Sequence, residues 1–398
     1  MPLVYLNTYL RLIRKKEDTN RYKERFGYTN FKQILEKDVI WIHASSVGEF
    51  KSCDFLINSF HKNYSLLITT TTKTAADYAL ENYGEKIIHQ YAPFDVVPWI
   101  NKFLNFWKPK LVVWIESDIW PNTIVKLREK KIPSIFLNAR ISPRSFKKWK
   151  FFSSYYKFIT KTFFSIYAQS KNDLERITKL TNVNVEYLGN LKLTKKNTSY
   201  TKLEKTGKLN IMIASTHENE EGLIISSLEK ISKKYQIVNF IIAPRHPNRS
   251  KLIYKLLQDK KLDVEYYSKF KNLDCRFLIL DSFGKMEQFF SISDIVFLGG
   301  SLLKKGGHNP IEAATANCAI ITGSNVFNWQ NLYEDMVEKD ACIMVNEVKE
   351  FETKVINLIE NKNLVENLKR NALTFSNTVF FQEDKLLELL NNRLRKNA

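Results

Sequence analysis

The sequence has few cysteines and few glycines. Its 398 residues include 4 Cys, which lie far apart without a CxxC pair. This spacing excludes a disulfide framework and a zinc ribbon, and it favours a reducing compartment. The 12 Gly form neither a Walker loop nor a GxGxxG pattern, so an ordinary nucleoside triphosphate or NAD site has no support.

The bulk composition is that of an ordinary globular protein. Hydrophobic residues make up 44% of the chain and charged residues 26%. These values exclude a disordered, a collagenous and a many-span membrane protein. At about 150 residues per domain, the length predicts two or three domains.

The net charge of +19 is unusual. It indicates a negatively charged partner such as nucleic acid, an anionic membrane or a phosphorylated substrate. The sequence is also rich in Lys, Asn, Ile, Phe and Tyr, a bias that AT-rich codons would produce. Composition alone therefore leaves both explanations open.

A first basic cluster follows an apolar N-terminal stretch. The stretch from Met1 to Ile13 is shorter than the about 20 residues that span a bilayer, and it lacks a small-residue cleavage site. We predict that residues 1–25 form a membrane-interfacial segment with a basic collar. The alternative is a first helix packed on its own domain. The collar consists of Arg11, Arg14, Lys15, Lys16, Arg21, Lys23 and Arg25.

A second basic cluster, residues 140–161, contains no acidic residue and mixes cations with aromatic rings. This mixture favours a lipid headgroup boundary. Stacking on single-stranded nucleic acid and a core helix with solvated lysines are the alternatives. The cations are Arg140, Arg144, Lys147, Lys148, Lys150, Lys157 and Lys161, and the rings are Phe146, Trp149, Phe151, Phe152, Tyr155, Tyr156 and Phe158.

Short apolar runs alternate with longer helical stretches in both halves of the chain. This rhythm predicts two α/β domains with parallel sheets, joined near residue 195 within a polar, Lys- and Thr-rich passage from Lys192 to Lys208. The first set of runs is Val39–His43, Ser65–Thr69, Leu111–Ile115, Ser134–Leu137 and Ile166–Ala168; the second is Leu209–Ala214, Val238–Ala243, Phe277–Leu280, Ile295–Leu298 and Ala319–Thr322.

Functional residues are expected directly after these runs, because ligands bind at the carboxyl ends of parallel strands. Glu49 stands at a helix start, where it is either a general base or a partner of the helix dipole. Glu116 follows an apolar run, where burial of a charge requires a function or a partner. Two carboxylates converging on one cleft indicate acid/base or glycosyl chemistry.

Two segments of the second half suit an anionic ligand. In GGHNPIE, Pro310 is a favoured first helical residue, and the backbone N–H groups there would hold a phosphate while Glu312 accepts from ribose hydroxyls. A plain glycine turn followed by a helix is the alternative. Arg245, beside a Pro-rich turn, is suited to grip an anionic group.

These motifs, in this order, resemble those of the 3-deoxy-D-manno-octulosonic acid (Kdo) transferases. The shared pattern spans about Tyr22 to Trp329 and comprises HASSVGEF, ESDIWPN, NARIS, AQS, GNLK, ASTHENEE, PRHPNR, FLGGSLLKKGGHNPIEAA and FNW. The resemblance implies an α/β fold of the GT-B type, with two Rossmann-like domains facing each other across a cleft. It also implies an acceptor-binding domain over residues 26–195 and a CMP-Kdo-binding domain over 196–398, whose last helices pack back on the first domain.

The function implied by the resemblance is inverting transfer of Kdo from CMP-Kdo to a hydroxyl of the lipid A precursor (lipid IVA) in lipopolysaccharide synthesis. By the same resemblance, Glu49 takes the general-base role, and Glu116 and Lys192 steady the transition state. No metal and no cofactor are expected, since CMP-Kdo is the donor substrate. CMP contacts map onto Pro244, Arg245, Phe283, Gly284, Lys285, Asn309, Pro310, Ile311 and Glu312.

The sequence departs from the family pattern at a few positions. Lys285 stands where the family usually has a carboxylate, and Leu193 and Thr194 follow GNLK in place of an aromatic and an acid. Histidines occur in several motifs, but on separate loops whose spacing does not match a metal site, so structural or hydrogen-bonding roles are expected. They are His43, His217, His246 and His308.

The expected location is the cytoplasmic face of the inner membrane of a Gram-negative bacterium, with peripheral or monotopic attachment to its anionic surface and no nucleic-acid partner. One alternative is a GT-B-like nucleotide-sugar epimerase. A basic nucleic-acid-binding protein is another, but it leaves the converging carboxylates unexplained.

Overall fold

The computed structural model divides the chain into two compact units, Met1–Lys195 with Phe380–Ala398, and Lys196–Val379. The range predicted for the second unit was 196–398. The unit ends at Val379 instead, because the residues that follow pack with the first unit. The residues that the structure describes are 2–14, 17–31, 35–116, 119–193, 203–269 and 275–396.

The first unit is built on a seven-stranded parallel sheet. Its strands are β1 (Val39–His43), β2 (Ser65–Thr70), β3 (Ile88–Tyr91), β4 (Leu111–Ile115), β5 (Ser134–Ala139), β6 (Phe163–Ala168) and β7 (Val185–Glu186). They lie in the order β3-β2-β1-β4-β5-β6-β7, the order of a dinucleotide-binding fold extended by one strand. The chain changes direction across the sheet between β1 and β4, where ligands of such sheets bind.

Alternating side chains fill the two faces of this sheet. Ile40 and Ile42 belong to one apolar cluster, whereas Trp41 belongs to the other. Every residue of β1 and β4 is buried. Continuous apolar runs are typical of parallel strands with helices on both sides. Those helices are α1 (Pro2–Ile13), α2 (Val47–Lys51), α3 (Asp54–Phe60), α4 (Lys73–Tyr83), α5 (Val97–Trp107), α6 (Pro121–Glu129), α7 (Pro143–Phe151), α8 (Ser153–Thr160) and α9 (Lys171–Thr178).

The second unit repeats the architecture with another seven-stranded parallel sheet. Its strands are β8 (Leu209–Thr216), β9 (Val238–Pro244), β10 (Val264–Tyr266), β11 (Phe277–Ile279), β12 (Ile295–Leu298), β13 (Ala319–Gly323) and β14 (Ile343–Val345). They lie in the order β10-β11-β9-β8-β12-β13-β14, which places the change of direction between β8 and β12. The helices are α10 (Glu220–Lys234), α11 (Ser250–Asp259), α12 (Met286–Phe290), α13 (Ile311–Thr315), α14 (Gln330–Glu338), α15 (Val348–Glu360) and α16 (Lys362–Val379).

The chain then returns to the first unit in a last helix, α17 (Glu383–Lys396). Its Leu386, Leu390 and Leu394 are buried in the same apolar cluster as Ile40 and Ile42. This one-sided spacing of leucines is the pattern of a helix that covers a sheet face.

Part of the N-terminal basic collar is internal to the first unit. The Arg25 guanidinium is buried, bonds Glu17 at 3.0 Å and donates to the Thr71 carbonyl at 2.6 Å. Arg21 bonds both carboxylate oxygens of Glu24. These two arginines stabilise the fold and are not part of an exposed collar. Lys15 and Lys16 lie outside the described residues.

Helix α1 presents an apolar face. Tyr5 stacks on Phe26 with ring centroids 4.6 Å apart, whereas Leu6, Tyr9 and Ile13 are more than half exposed. In the part of the chain that the structure describes, no helix is long and apolar enough to cross a membrane.

Buried His43 and half-buried His89 make the stability of the first unit depend on pH. Burial, and then the charge of Arg25, lower the pKa of His43 to about 3. Burial, and then Arg21 and Arg25, lower the pKa of His89 to about 3. Because the unfolded chain binds these protons near pH 6.5 and the folded chain does not, the stabilisation is present above that pH and is lost as the pH falls towards 3.

We expect the free energy of unfolding of the first unit to decrease as the pH is lowered from about 6.5. Fully buried His43 should contribute up to about 1.4 kcal/mol of this loss per pH unit. Denaturant unfolding at about pH 7 and pH 5, followed by tryptophan fluorescence, measures this. The variant His89→Gln should lose less stability between the two pH values than the unchanged protein. An equal loss would show that His89 does not contribute.

Candidate functional site

The first candidate site lies at the carboxyl edge of the first sheet, where β1, β4 and β5 are neighbours. His43 at the end of β1 is in register with Trp114 of β4. Glu49 follows β1 by a short loop, and Glu116 follows β4 directly. The topology therefore brings the two predicted carboxylates to the same edge of one sheet.

Glu49 is held by a reciprocal cap at the start of α2. The Ser46 Oγ accepts the Glu49 backbone N–H at 3.3 Å. The Glu49 carboxylate accepts the Ser45 backbone N–H at 2.7 Å and the Ser46 hydroxyl at 3.2 Å. This arrangement resembles a capping box, except that the carboxylate accepts the backbone N–H of the residue before the N-cap, and it fixes the orientation of a carboxylate that is only 9% exposed.

A hydrogen-bonded network behind the Glu49 loop extends into the sheet. The Trp41 indole N–H donates to the Thr69 Oγ1 at 2.8 Å, and this hydroxyl contacts the His43 Nδ1 at 2.9 Å. The His43 Nε2 contacts the Ser45 Oγ at 3.2 Å, and Ser45 in turn bonds Glu49. Since its depressed pKa keeps His43 neutral, the ring positions the loop without placing a positive charge beside Glu49.

Glu116 and Lys192 form an ion pair. The Lys192 Nζ lies 2.5 Å from the Glu116 Oε1, and the Asn138 amide donates to the same oxygen at 3.3 Å. Glu116 and Asn138 both have left-handed backbone conformations, with φ of 64° and 52°. Such strained conformations in residues other than glycine are concentrated at functional sites. Ser117 and Asp118 of the same motif lie outside the described residues.

Asn138 is a site residue to which sequence reasoning gave no role. Its Oδ1 accepts the backbone N–H of Leu191 at 3.1 Å, so one side chain connects β5, Glu116 and the turn that carries Lys192. The Lys192 backbone N–H is fixed separately by the Asn190 Oδ1 at 3.0 Å. The only sequence signal for Asn138 was its place in the NARIS motif.

Besides burial, the charges of Glu49 and Glu116 both raise the pKa of the buried Cys53 thiol. Burial, and then the charges of Asp54, Glu49 and Glu116, raise the pKa of the Cys53 thiol above its ordinary value. The Cys53 Sγ lies 3.3 Å from the Glu49 carbonyl oxygen. The pairing of β1 with β4 and the Glu116–Lys192 ion pair therefore place Glu49, Glu116 and Lys192 at one edge of the first sheet.

The nucleotide contacts predicted in the second unit lie after its adjacent strands. Pro244 ends β9, and the exposed Arg245 donates its backbone N–H to the Thr216 carbonyl at 3.0 Å. Phe283 is 74% exposed after β11, and Gly284 has a left-handed φ of 75°. Lys285 is the N-cap of α12. These residues share the carboxyl edge of the second sheet.

The start of α13 differs in detail from the prediction. The helix begins at Ile311, so Pro310 is its N-cap and not its first residue. The Asn309 Oδ1 accepts the Ile311 backbone N–H at 3.0 Å, which occupies one of the donors expected to face a phosphate. Glu312 is exposed in the first turn.

Glu220 organises the glycine turn after β12. Its buried carboxylate accepts the backbone N–H groups of Gly300 at 2.6 Å and of Ser301 and Leu302 at 3.0 Å each. An added Cβ at Gly299 would lie 2.8 Å from the same carboxylate. The backbone N–H groups of this turn therefore have their acceptor within the protein, in the Glu220 carboxylate. Sequence reasoning missed the role because Glu220 looks like an exposed acid at a helix start.

The predicted second basic cluster forms α7 and α8. Trp149 packs on the buried Tyr156 with ring centroids 5.1 Å apart, whereas Phe151 and Phe152 are 88% and 65% exposed. A cleft of about 490 Å³ opens beside these helices, and Arg140 lines it. Within the described ranges, no group of three or more His, Cys, Asp or Glu could hold a metal ion.

Comparison with known proteins agrees with this architecture. Residues 20–195 match the family model "3-Deoxy-D-manno-octulosonic-acid transferase (kdotransferase)". A 3-deoxy-D-manno-octulosonic acid transferase of Rickettsia bellii is 31% identical over 94% of this chain and 92% of its own length.

Solved structures show the fold alone, at low sequence identity. Acinetobacter baumannii MurG is 12% identical, with a TM-score of 0.57 over 89% of this chain and 99% of its own. The UDP-GlcNAc 2-epimerase of Neisseria meningitidis is 14% identical, with a TM-score of 0.56 over 89% of this chain and 100% of its own. The predicted two-domain GT-B fold is confirmed. By its similarity over nearly its whole length to the Rickettsia bellii transferase, the chain belongs to the Kdo transferase family of glycosyltransferases.

Proposed function

We propose that this enzyme moves Kdo from CMP-Kdo to a hydroxyl of the lipid A precursor, lipid IVA, with inversion at the anomeric carbon and without a metal ion. The observation that supports this most is the grouping of Glu49 with the Glu116–Lys192 ion pair at one sheet edge. A carboxylate held at a helix start beside a second carboxylate and a cation suits base-assisted sugar transfer.

In this proposal, Glu49 removes the proton of the acceptor hydroxyl as that oxygen attacks the anomeric carbon of Kdo. The bond from that carbon to the phosphate breaks, and CMP leaves with the electron pair. The Ser45 and Ser46 bonds keep the carboxylate oriented during attack. Positioning of this kind is a principal source of rate, since the reacting groups lose less freedom in the transition state.

Glu116 and Lys192 act on the charges that develop during transfer. The Glu116 carboxylate stabilises positive charge on the sugar ring, and the Lys192 ammonium pairs with the carboxylate of Kdo or with the departing phosphate. Asn138 holds the two side chains in position, since it bonds both the Glu116 carboxylate and the Leu191 backbone N–H next to Lys192.

The second unit is proposed to bind the cytidylate. Arg245 supplies a permanent positive charge for the phosphate. The exposed Phe283 ring offers a surface for the base, and exposed Glu312 offers a carboxylate for ribose hydroxyls. Lys285, where the family usually has an acid, then meets the phosphate. Pro244, Gly284, Asn309, Pro310 and Ile311 complete the proposed nucleotide contacts.

The first unit is proposed to bind the acceptor. The cleft beside Arg140 is also lined by Trp120, whose ring lies 4.9 Å from that of His43 and thus adjoins the Glu49 loop. The cation of Arg140 suits a phosphate of the acceptor headgroup.

Incubation of the protein with CMP-Kdo and lipid IVA, followed by mass analysis of the lipid, tests the function. We expect Kdo to be added, with CMP released, and the rate to be unchanged by EDTA. An unmodified lipid with an isomerised sugar nucleotide would identify an epimerase instead. Loss of transfer with EDTA would overturn the metal-free mechanism.

We also propose that the enzyme works at the cytoplasmic face of the inner membrane of a Gram-negative bacterium. The exposed faces of α1 and of α7–α8 would contact the anionic surface. Apolar and aromatic side chains beside cations suit that boundary.

We expect the protein to float with vesicles that contain an anionic lipid and much less with zwitterionic vesicles. The double variant Phe151→Ser, Phe152→Ser should lower the bound fraction several-fold, because two exposed rings are lost at no cost to the core. Leu80→Ser, at an exposed position of α4 in the same unit, is the matched control. Equal binding by both variants would contradict a role for α7–α8.

A further inference from the structure

Two histidines of the second unit form a hydrogen-bonded pair that the proposed mechanism does not use. The His217 Nε2 lies 2.9 Å from the His308 Nε2, and the rings are stacked with centroids 5.1 Å apart. His217 follows β8 and His308 follows β12, so the pair lies at the change of direction of the second sheet. Both side chains are partly exposed.

The surrounding backbone is built to bring these rings together. A Cβ at Gly300 would lie 2.9 Å from the His217 Cδ2 and 3.3 Å from the His308 Cδ2, so only glycine leaves room for the stack. The His308 carbonyl accepts the Tyr333 hydroxyl at 2.8 Å, and the His217 backbone N–H donates to Glu220 at 3.2 Å. Backbone hydrogen bonds therefore hold both His217 and His308 in place.

The environment of the pair favours its neutral form. Burial lowers the pKa of both rings, and that of His308 falls to about 4. Glu220, the acid that raises the pKa of His217, is already bonded to four backbone N–H groups. The charged and titratable groups that act on His217 are Glu220, Lys305, His246 and Arg245, and those that act on His308 are His217 and Arg245.

The hydrogen bonds fix the positions of the protons. A backbone bond to Ser215 raises the pKa of His308, which is the effect of a carbonyl oxygen that accepts from a protonated ring nitrogen. With the His308 Nε2 facing His217, that nitrogen is Nδ1. In neutral His308 the Nε2 then accepts, so the shared proton belongs to the His217 Nε2 and the His217 Nδ1 has none.

We propose that the His217–His308 pair is a phosphate-binding element that takes up one proton when the nucleotide binds. The proton comes from solvent and is added to the His217 Nδ1, which becomes a donor to a phosphate oxygen. The His217 Nε2 still donates to the His308 Nε2, so the loops keep their positions. The inference rests on the proposed binding of cytidylate to this unit.

The electrostatic reason is that an arriving phosphate reverses the local balance of charge. In the free enzyme, Arg245 and Lys305 oppose protonation of the pair. An anion within about 4–6 Å favours the protonated imidazole by about 1–3 pKa units. Because each unit corresponds to a tenfold change in affinity, nucleotide binding should tighten about tenfold or more as the pH falls from about 8 towards 6.

Titration calorimetry of the full-length protein with CMP, in buffers of different ionisation enthalpy at about pH 6.5, counts the protons exchanged. The variant His217→Gln keeps a donor for the His308 Nε2 but cannot take up a proton. We expect the unchanged protein to take up about half to one proton more per bound CMP than this variant. Any proton that CMP itself exchanges is the same in both proteins and cancels in this difference. His61→Gln, in the first unit, is the matched control and should exchange protons as the unchanged protein does.

Equal proton exchange by the unchanged protein and His217→Gln would overturn this inference while leaving the proposed function intact. Weaker CMP binding by His217→Gln with the same pH dependence would also overturn it, since a purely structural role predicts that result. Absence of CMP binding in the unchanged protein would overturn both proposals.

Discussion

Replacement of Glu49 by glutamine is expected to lower the rate of Kdo transfer by about 10²–10⁴-fold, the contribution of a positioned general base. Glutamine is nearly the same shape, and its carbonyl oxygen can still accept the Ser45 backbone N–H that Glu49 now accepts at 2.7 Å. The loop should therefore keep its conformation while the base is lost. Mass analysis of the lipid product over time measures the rate.

CMP affinity and thermal stability are the controls for this variant. Both should remain close to those of the unchanged protein, because the proposed nucleotide contacts lie in the second unit. Glu175→Gln, at an exposed position of α9, is the matched substitution and should transfer normally. Near-normal transfer by Glu49→Gln would remove Glu49 from the base role and leave it as a helix cap.

The Glu116–Lys192 ion pair should behave as one functional unit. We expect Glu116→Gln and Lys192→Met each to lower the transfer rate about 10²–10³-fold, as loss of one preorganised charge does. The double variant should be little worse than either single variant, because each single change already disables the 2.5 Å pair. That corresponds to a coupling energy of about 3–4 kcal/mol, at or above the upper end of the about 0.5–3 kcal/mol range for contacting residues.

The Lys110–Asp38 pair of the same unit is the matched control. Its atoms are 2.6 Å apart, but Asp38 is more than half exposed and Lys110 precedes β4, at the opposite edge of the sheet. Lys110→Met and Asp38→Asn should leave transfer unchanged, singly and together. Additive losses in the Glu116–Lys192 cycle would show that the two side chains act on separate steps.

The central strands of both sheets were predictable from the sequence, and the edge strands were not. β1, β4 and β12 have the predicted bounds because each is a continuous buried apolar run. The edge strands β3, β7, β10 and β14 are short and only partly buried, so they lack such a run. Their pairing is decided by neighbouring strands and not by their own pattern.

The candidate site was predictable in its residue types but not in its contacts. Glu49 stood out by its place at a helix start, and Glu116 stood out because a charge directly followed an apolar run. The Lys192 contact to Glu116 depends on a turn after β7 and on the left-handed Asn138, neither of which a local pattern reveals. The resemblance to a family supplied Lys192; the residues alone did not.

The return of α17 to the first unit also constrains the order in which the protein can be assembled during synthesis. The Phe381 backbone N–H donates to the Leu193 carbonyl at 3.0 Å, and a Cβ at Gly189 would clash with the Phe380 carbonyl. Residues 380–396 must therefore leave the ribosome before the first hydrophobic core can close, although the second, continuous in sequence, can close earlier. A nascent chain stalled before Phe380 would expose that unfinished core to chaperones and proteases, whichever half of the enzyme had already folded.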